Sequence, residues 1–178
     1  MHHEPQTDPA GPFDVVALVA SAGGYGAITA ILQALPVDFA VPIIALQHLG
    51  PDSTGTVAMY TRQTPFAVAS AYTGATLVPG LVLVGPPRSF VELLPDGSCV
   101  VSPAQHGARD KPFDRLLESV ARSFGRRAIA VVLTGMGADG ALGARRLHLA
   151  GGTVLVQSEA SAEYPQMPPA AIAAGAAN

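Results

Sequence analysis

The sequence predicts an α/β fold: a doubly wound, mostly parallel sheet in a Rossmann-like three-layer arrangement, with a small antiparallel hairpin section. Three observations lead there. Short apolar runs alternate along the chain with segments of helical apolar spacing, and the connections between them are brief. Hydrophobic residues make up 49% of the 178, yet aromatics are 6% and Trp is absent, so Ala, Val, Leu and Ile must fill the core. Such a core suits buried parallel strands under close-packed helices. The length suits a single domain.

The elements follow in order. Residues 13–20 form a continuous apolar run ending in Ser-Ala-Gly-Gly, a buried strand. Residues 26–35 place Ile28, Ile31, Leu32 and Leu35 at helical spacing before Pro36 stops them. Residues 41–47 read as a second strand, 53–62 as a second helix and 66–71 as a third strand. Residues 81–84, 90–94 and 99–101 read as short strands of an antiparallel section, with the turn signal Pro95-Asp96-Gly97 between the last two. Residues 103–111 are polar, hence a loop. Pro112 opens a helix to Phe124 with Phe113, Leu116, Leu117 and Val120 on one face. A strand at 128–133, a helix at 139–149, a strand at 153–156 and an Ala-rich helix at 168–177 complete the series.

Composition excludes several classes. The net charge is -3, and no basic cluster exceeds Arg126-Arg127 and Arg145-Arg146, so nucleic acid is not the expected partner. The single cysteine, Cys99, excludes an internal disulfide framework and cannot alone build a zinc site; no metal or cofactor is expected. Residues 1–12 lack a basic stretch followed by an apolar one, which is not a signal peptide. They read as a disordered lead, leaving 13–178 as the folded domain. No apolar run reaches the ~18 residues of a membrane span, and a cytoplasmic location is expected.

In open parallel sheets ligands bind beyond the carboxyl ends of the strands. The first strand delivers Ser21 there, the second His48, and the strand over 128–133 delivers Thr134-Gly135-Met136-Gly137-Ala138-Asp139-Gly140. A serine, a histidine and an aspartate on one edge are the set a hydrolase needs: nucleophile, base and orienting carboxylate. Three glycines in that last segment let backbone N–H groups approach an oxyanion. Other readings stand beside this one. Taken alone, Ser21 reads as a helix N-cap, His48 as a polar strand end, and Asp139 as a cap for the helix after it. Gly23-Gly24-Tyr25-Gly26 lacks the G-x-G-x-x-G spacing of a dinucleotide site. His2, His3, His106 and His148 carry no pattern, and Cys99 reads as packing.

With these residues in view, Ala20-Ser21-Ala22-Gly23-Gly24, Gln47-His48 and Leu133–Gly140 resemble the catalytic domain of CheB-type methylesterases. Val78-Pro79-Gly80, Pro112-Phe113-Asp114-Arg115-Leu116, Gln157 and Met167-Pro168 fit the same family, over nearly the whole chain. The resemblance implies hydrolysis of glutamate γ-methyl esters on the cytoplasmic helices of chemoreceptors, and in some members glutamine deamidation. It implies Ser21 as nucleophile, His48 as base and Asp139 as its orienter. The Met136 N–H would be an oxyanion donor, with Ala22, Gly23, Gly135 and Gly137 around the pocket. Three residues depart from the family pattern: Val19, expected to reshape the mouth, Phe90, expected at the active-site rim, and Gln166. No receiver domain precedes the first strand, so a stand-alone member is expected, with a separate receiver or methyltransferase protein as a further partner. The alternatives are an idle scaffold that binds a partner, and a small-molecule or nucleotide module.

Overall fold

β1 (Val15–Ala20) is buried along its whole length because both of its faces are covered. Val15, Ala17 and Val19 point into one core, and Val16, Leu18 and Ala20 into the other. That division by alternate residues is the period of a strand, and it makes the domain three layers deep. The structure, a computed structural model, describes residues 13–50, 53, 55–104 and 110–176. The expected lead at 1–12, with His2, His3 and His106, lies outside the described residues.

The chain continues through α1 (Gly24–Ala34), β2 (Ile43–Gln47), α2 (Thr56–Thr61), β3 (Ala67–Ser70) and β4 (Leu81–Val84). The hairpin β5 (Ser89–Leu93) and β6 (Cys99–Pro103) follows, then α3 (Pro112–Phe124), β7 (Ala128–Val132), α4 (Ala141–Leu149), β8 (Thr153–Val156) and α5 (Met167–Ala173). Six strands form one sheet in the order β3-β4-β2-β1-β7-β8, every pair parallel. Residues of α1 and α2 pack on one face; those of α3, α4 and α5 pack on the other. Boundaries differ from the expected ones by a residue or two at most helix and strand ends. The largest difference is at α5, which ends at Ala173 and not at 177, and α4 starts at Ala141 because Gly140 caps it with φ 92°.

One expectation is corrected. Leu81–Val84 is no part of an antiparallel section; it pairs in parallel between β2 and β3. The physical reason is in the run itself: Val82, Leu83 and Val84 are all buried, as a strand covered on both faces must be. The antiparallel section is a separate two-stranded sheet, β5 with β6, lying against α3. Val91, Leu93 and Cys99 turn inward, and Val100 turns out.

Two serines of α3 hold that hairpin. Ser119 Oγ accepts the Leu93 N–H at 2.9 Å and donates to the Leu116 carbonyl at 2.6 Å. Ser123 Oγ donates to the Leu93 carbonyl at 2.8 Å. Glu92 accepts from Arg115 at 2.8 Å and Arg122 at 3.1 Å on the surface outside. A buried N–H without an acceptor costs about 1–3 kcal/mol, more than a half-exposed hydroxyl returns. Ser119→Ala should therefore lower stability by about 1–3 kcal/mol in a urea titration, and Ser123→Ala by clearly less. Equal effects would show that Ser119 is not the anchor.

Candidate active site

The ladder of β1 runs one residue past the strands and lines up three chain segments. His48 N–H donates to the Ala20 carbonyl at 3.1 Å, and Ser21 N–H to the Thr134 carbonyl at 3.0 Å. The structure thus brings Ser21, His48 and the segment leading to Asp139 to one edge, at the carboxyl ends of β1, β2 and β7. After Ser21 the chain turns through left-handed Gly23 into α1.

The imidazole of His48 is held on both nitrogens. Nδ1 lies 3.1 Å from Ser21 Oγ, and Nε2 lies 2.8 Å from Asp139 Oδ2. A carboxylate at Nε2 requires the proton there, which leaves Nδ1 as an acceptor for the serine hydroxyl. One face of the ring stacks on Phe113, with centroids 4.0 Å apart and planes at 12°. His48 remains 37% exposed while Asp139 is 5% exposed, so solvent reaches the imidazole but hardly the carboxylate behind it. Such a hydroxyl–imidazole–carboxylate chain can activate a serine and stabilise the imidazolium that forms.

Asp139 also caps a helix, though not its own. Oδ2 accepts the Phe113 N–H at 3.2 Å and Oδ1 the Asp114 N–H at 3.1 Å, two of the orphan donors at the start of α3. Asp114 returns the bond from the first turn of α3: its Oδ1 accepts the Gly143 N–H of α4 at 2.8 Å. The acid just before α4 caps α3, and the acid in the first turn of α3 holds an N–H of α4. Their close crossing needs Gly143, where a Cβ would come 2.6 Å from the Asp114 carbonyl oxygen. Burial pushes the Asp114 carboxyl up; the Gly143 N–H opposes the rise and the Asp139 charge adds to it.

Behind Ser21 lies a second assembly. A Cβ at Gly135 would come 2.7 Å from Ser21 Cβ and would collide with the Met167 sulfur, so only glycine fits there. Gly135 N–H donates to the Tyr164 carbonyl at 2.9 Å, and Met167 N–H to the Gly135 carbonyl at 3.0 Å. Thr134, 1% exposed, links three segments. Its Oγ1 donates to the Ala22 carbonyl at 3.1 Å and accepts the Tyr164 N–H at 2.8 Å, while its own N–H goes to Gln157 Oε1 at 2.8 Å. The N–H groups of Ala22 and Met136 meet no acceptor among the described residues. Met136 is exposed and Gly137 turns at φ 84° in open space. A cavity of about 240 Å³ opens beside His48, with Gln47, Gly85, Arg88 and Phe113 among its walls.

Two expectations are corrected here. Val19 does not shape the mouth: it is a fully buried β1 residue facing the Gly140 backbone. Phe90 lies under the Arg115 guanidinium at 4.7 Å, on the hairpin surface with Glu92 and Arg122, not in the cavity beside His48. Gln166 is an exposed residue at the start of α5. Cys99 is buried and its thiol is pushed up to about 11 by that burial, as a packing residue would be. His148 stands on α4, away from the site. Sequence reasoning named Phe113, Asp114 and Thr134 only as members of a helix face or a motif, with no role in the site, and did not single out Tyr164 or Arg88. The acid in the first turn of α3 was the available signal for Asp114.

A model of the family described as CheB methylesterase matches residues 16–178. Protein-glutamate methylesterase FrzG of Myxococcus xanthus is 36% identical over 97% of this chain and 52% of its own length. Protein-glutamate methylesterase/protein-glutamine glutaminase 1 of the same species is 40% identical over 91% of this chain and 48% of its own. The chain spans about half the length of the curated relatives it matches. The crystal structure of the Thermotoga maritima CheB methylesterase catalytic domain superposes with a TM-score of 0.83 at 27% identity, covering 93% of this chain and 90% of that one. Among the described residues no helix is long and apolar enough to cross a membrane.

The crossed caps make a pH-dependent prediction. A carboxyl raised by burial contributes stability that is full below its unfolded pKa of about 3.9 and is lost as pH rises through the folded value. Asp114→Asn keeps an oxygen for Gly143 but carries no charge, so the melting temperature of wild type relative to this variant should fall from pH 4 to pH 7. Asp114→Ala leaves the Gly143 N–H bare and should cost about 1–3 kcal/mol at every pH. A wild type that gains on Asp114→Asn as pH rises would overturn the assignment.

Proposed function

The chain belongs to the CheB methylesterase family, and on that premise we propose that it is a serine hydrolase removing methyl groups from glutamate γ-methyl esters of a protein substrate. The methylated cytoplasmic helices of a chemoreceptor are the proposed substrate, and the cytoplasm the proposed location. The observation that carries the reading is the unbroken contact series from Ser21 Oγ through His48 to Asp139. The matched relatives named protein-glutamate methylesterase support the ester as substrate.

In the proposed reaction Ser21 Oγ attacks the ester carbonyl carbon as its proton passes to His48 Nδ1. The Nε2–H bonded to Asp139 steadies the imidazolium. The oxyanion draws on the Met136 and Ala22 N–H groups, both without protein acceptors among the described residues. Nδ1 then protonates the methoxy oxygen, methanol leaves, and the glutamyl group stays on Ser21. Water attacks this acyl-enzyme, giving a proton to Nδ1; that proton passes to Ser21 Oγ as the carboxylic acid departs, and the acid then ionises to solvent. Glutamine would enter the same route with ammonia as leaving group, which the second half of some relatives' names supports.

Ser21→Ala should leave a folded protein whose methanol release from methylated receptor drops ~10⁴–10⁶-fold in kcat. Activity within tenfold of wild type would remove Ser21 from the mechanism. Labelling of wild type, but not Ser21→Ala, by a fluorophosphonate separates an enzyme from an idle scaffold.

Asp139→Asn should show two losses at once. Its amide NH₂ must face either His48 Nε2–H with Phe113 N–H, or Asp114 N–H. We expect kcat to fall ~10³–10⁴-fold and stability to fall by about 1–3 kcal/mol. A loss of stability with normal turnover would reduce Asp139 to a helix cap.

A further inference from the structure

We propose that Arg88 forms an anion subsite in the cavity beside His48, one that selects esters carried on an acidic peptide segment, with a free carboxylate next to the ester that reacts. The proposal rests on the hydrolase reading of Ser21 and His48.

The first observation is backbone strain. Arg88 has φ 55° and is the one non-glycine residue of positive φ among the described residues. A left-handed L-residue crowds its Cβ against the following carbonyl, a cost that glycine would avoid. A side chain held at such a position is a pointer to a use for it. The loop around it is stiff. Pro86 and Pro87 precede it, Ser89 Oγ donates to the Pro86 carbonyl at 2.7 Å, and Ala104 N–H donates to the Arg88 carbonyl at 2.9 Å. The turn that bears the guanidinium is thereby fixed at its own carbonyl and on both flanks.

The second observation is position. Arg88 lines the same cavity as His48, Gln47 and Phe113, and that cavity is only about 240 Å³. An anion bound to Arg88 therefore lies within a few side-chain lengths of the base. The third is electrostatic. Arg115 and Arg122 hold Glu92, Arg127 holds Asp14, and Arg146 holds Glu118. Arg88, like Arg62, Arg126 and Arg145, holds no carboxylate among the described residues, and of these four it alone lines the cavity. Asp110 lines the cavity too.

A guanidinium is a planar fork that binds carboxylates in pairs of charge-assisted hydrogen bonds. The chain's net charge of -3 gives an acidic substrate no general attraction, so a local cation would supply the preference. The product of each turnover is itself a carboxylate, and a segment bearing several modified glutamates would present ester and acid side by side.

The test uses two peptides of equal length containing one γ-methyl glutamate, flanked in one by Glu and in the other by Gln. The expected wild-type preference for the Glu-flanked peptide is about tenfold or more in kcat/KM, from one charge-assisted contact, and it should weaken with salt. Arg88→Gln should bring the ratio to about one, and Arg88→Glu should invert it. A wild-type ratio near one, or a preference that survives in both variants, overturns the subsite. Hydrolysis of p-nitrophenyl acetate is measured alongside. A wild type inert toward it and toward both peptides removes the hydrolase reading and the subsite with it. Turnover without preference removes the subsite alone.

Discussion

A single buried carboxylate holds the site and much of the fold together. Asp139 receives the Nε2–H of His48 and the N–H groups of Phe113 and Asp114. Three segments far apart in sequence meet at two oxygen atoms: the end of β2, the start of α3 and the loop after β7. A buried carboxylate without donors would be costly, and here the donors come from the parts that need placing. Phe113, pinned by its own N–H, lays its ring under the imidazole. The helix cap and the ring stack are thus one device, and the orientation of His48 follows from it.

The serine is positioned by a different principle, close backbone approach. Gly135 lies so near Ser21 that any side chain would displace the serine or Met167. Met167 is fully buried, and Thr134 sews the Ser21 turn to Gln157, just past β8, and to the segment at Tyr164. Imidazole and hydroxyl are fixed from opposite sides, one by α3 and α4, the other by the segment leading into α5. Their 3.1 Å separation is set by two independent packings. Small shifts in either would be felt at the site, because packed interiors tolerate little displacement.

Most of the fold was legible in the sequence because buried parallel strands and amphipathic helices have distinct periods. α3 was read to both its ends, since Pro112 and the spacing of Phe113, Leu116, Leu117 and Val120 leave no other solution. Leu81–Val84 was misplaced because a short apolar run says nothing of its partner, and a hairpin signal followed closely behind it. In the site, Ser21, His48 and Asp139 were visible as ends of strands. The crossed caps were not, because a cap on a distant helix leaves no local pattern: Asp139 stands just before α4 and serves α3. The departures at Val19 and Phe90 were located by position in a motif alone, and side-chain direction decided otherwise. Val19 lies on the face of β1 turned into the core.

The strand order also explains the orientation of the ring. In the sheet β2 and β7 flank β1, so His48 and the loop bearing Asp139 approach Ser21 from opposite sides. Neighbouring strands lie about 4.8 Å apart, so β2 and β7 stand roughly 10 Å from each other. A bond from His48 to a residue at the very end of β7 would have to span that gap. The gap is closed from both ends. Residues 134–140 carry Asp139 away from the sheet toward the start of α3, and the imidazole meets it with Nε2, its far tip. Nδ1, nearer the backbone, is left for the serine on the adjacent strand. The reverse assignment would put the near nitrogen toward the distant carboxylate. The proton on Nε2, and hence an accepting Nδ1, is in this sense a consequence of the order β2-β1-β7.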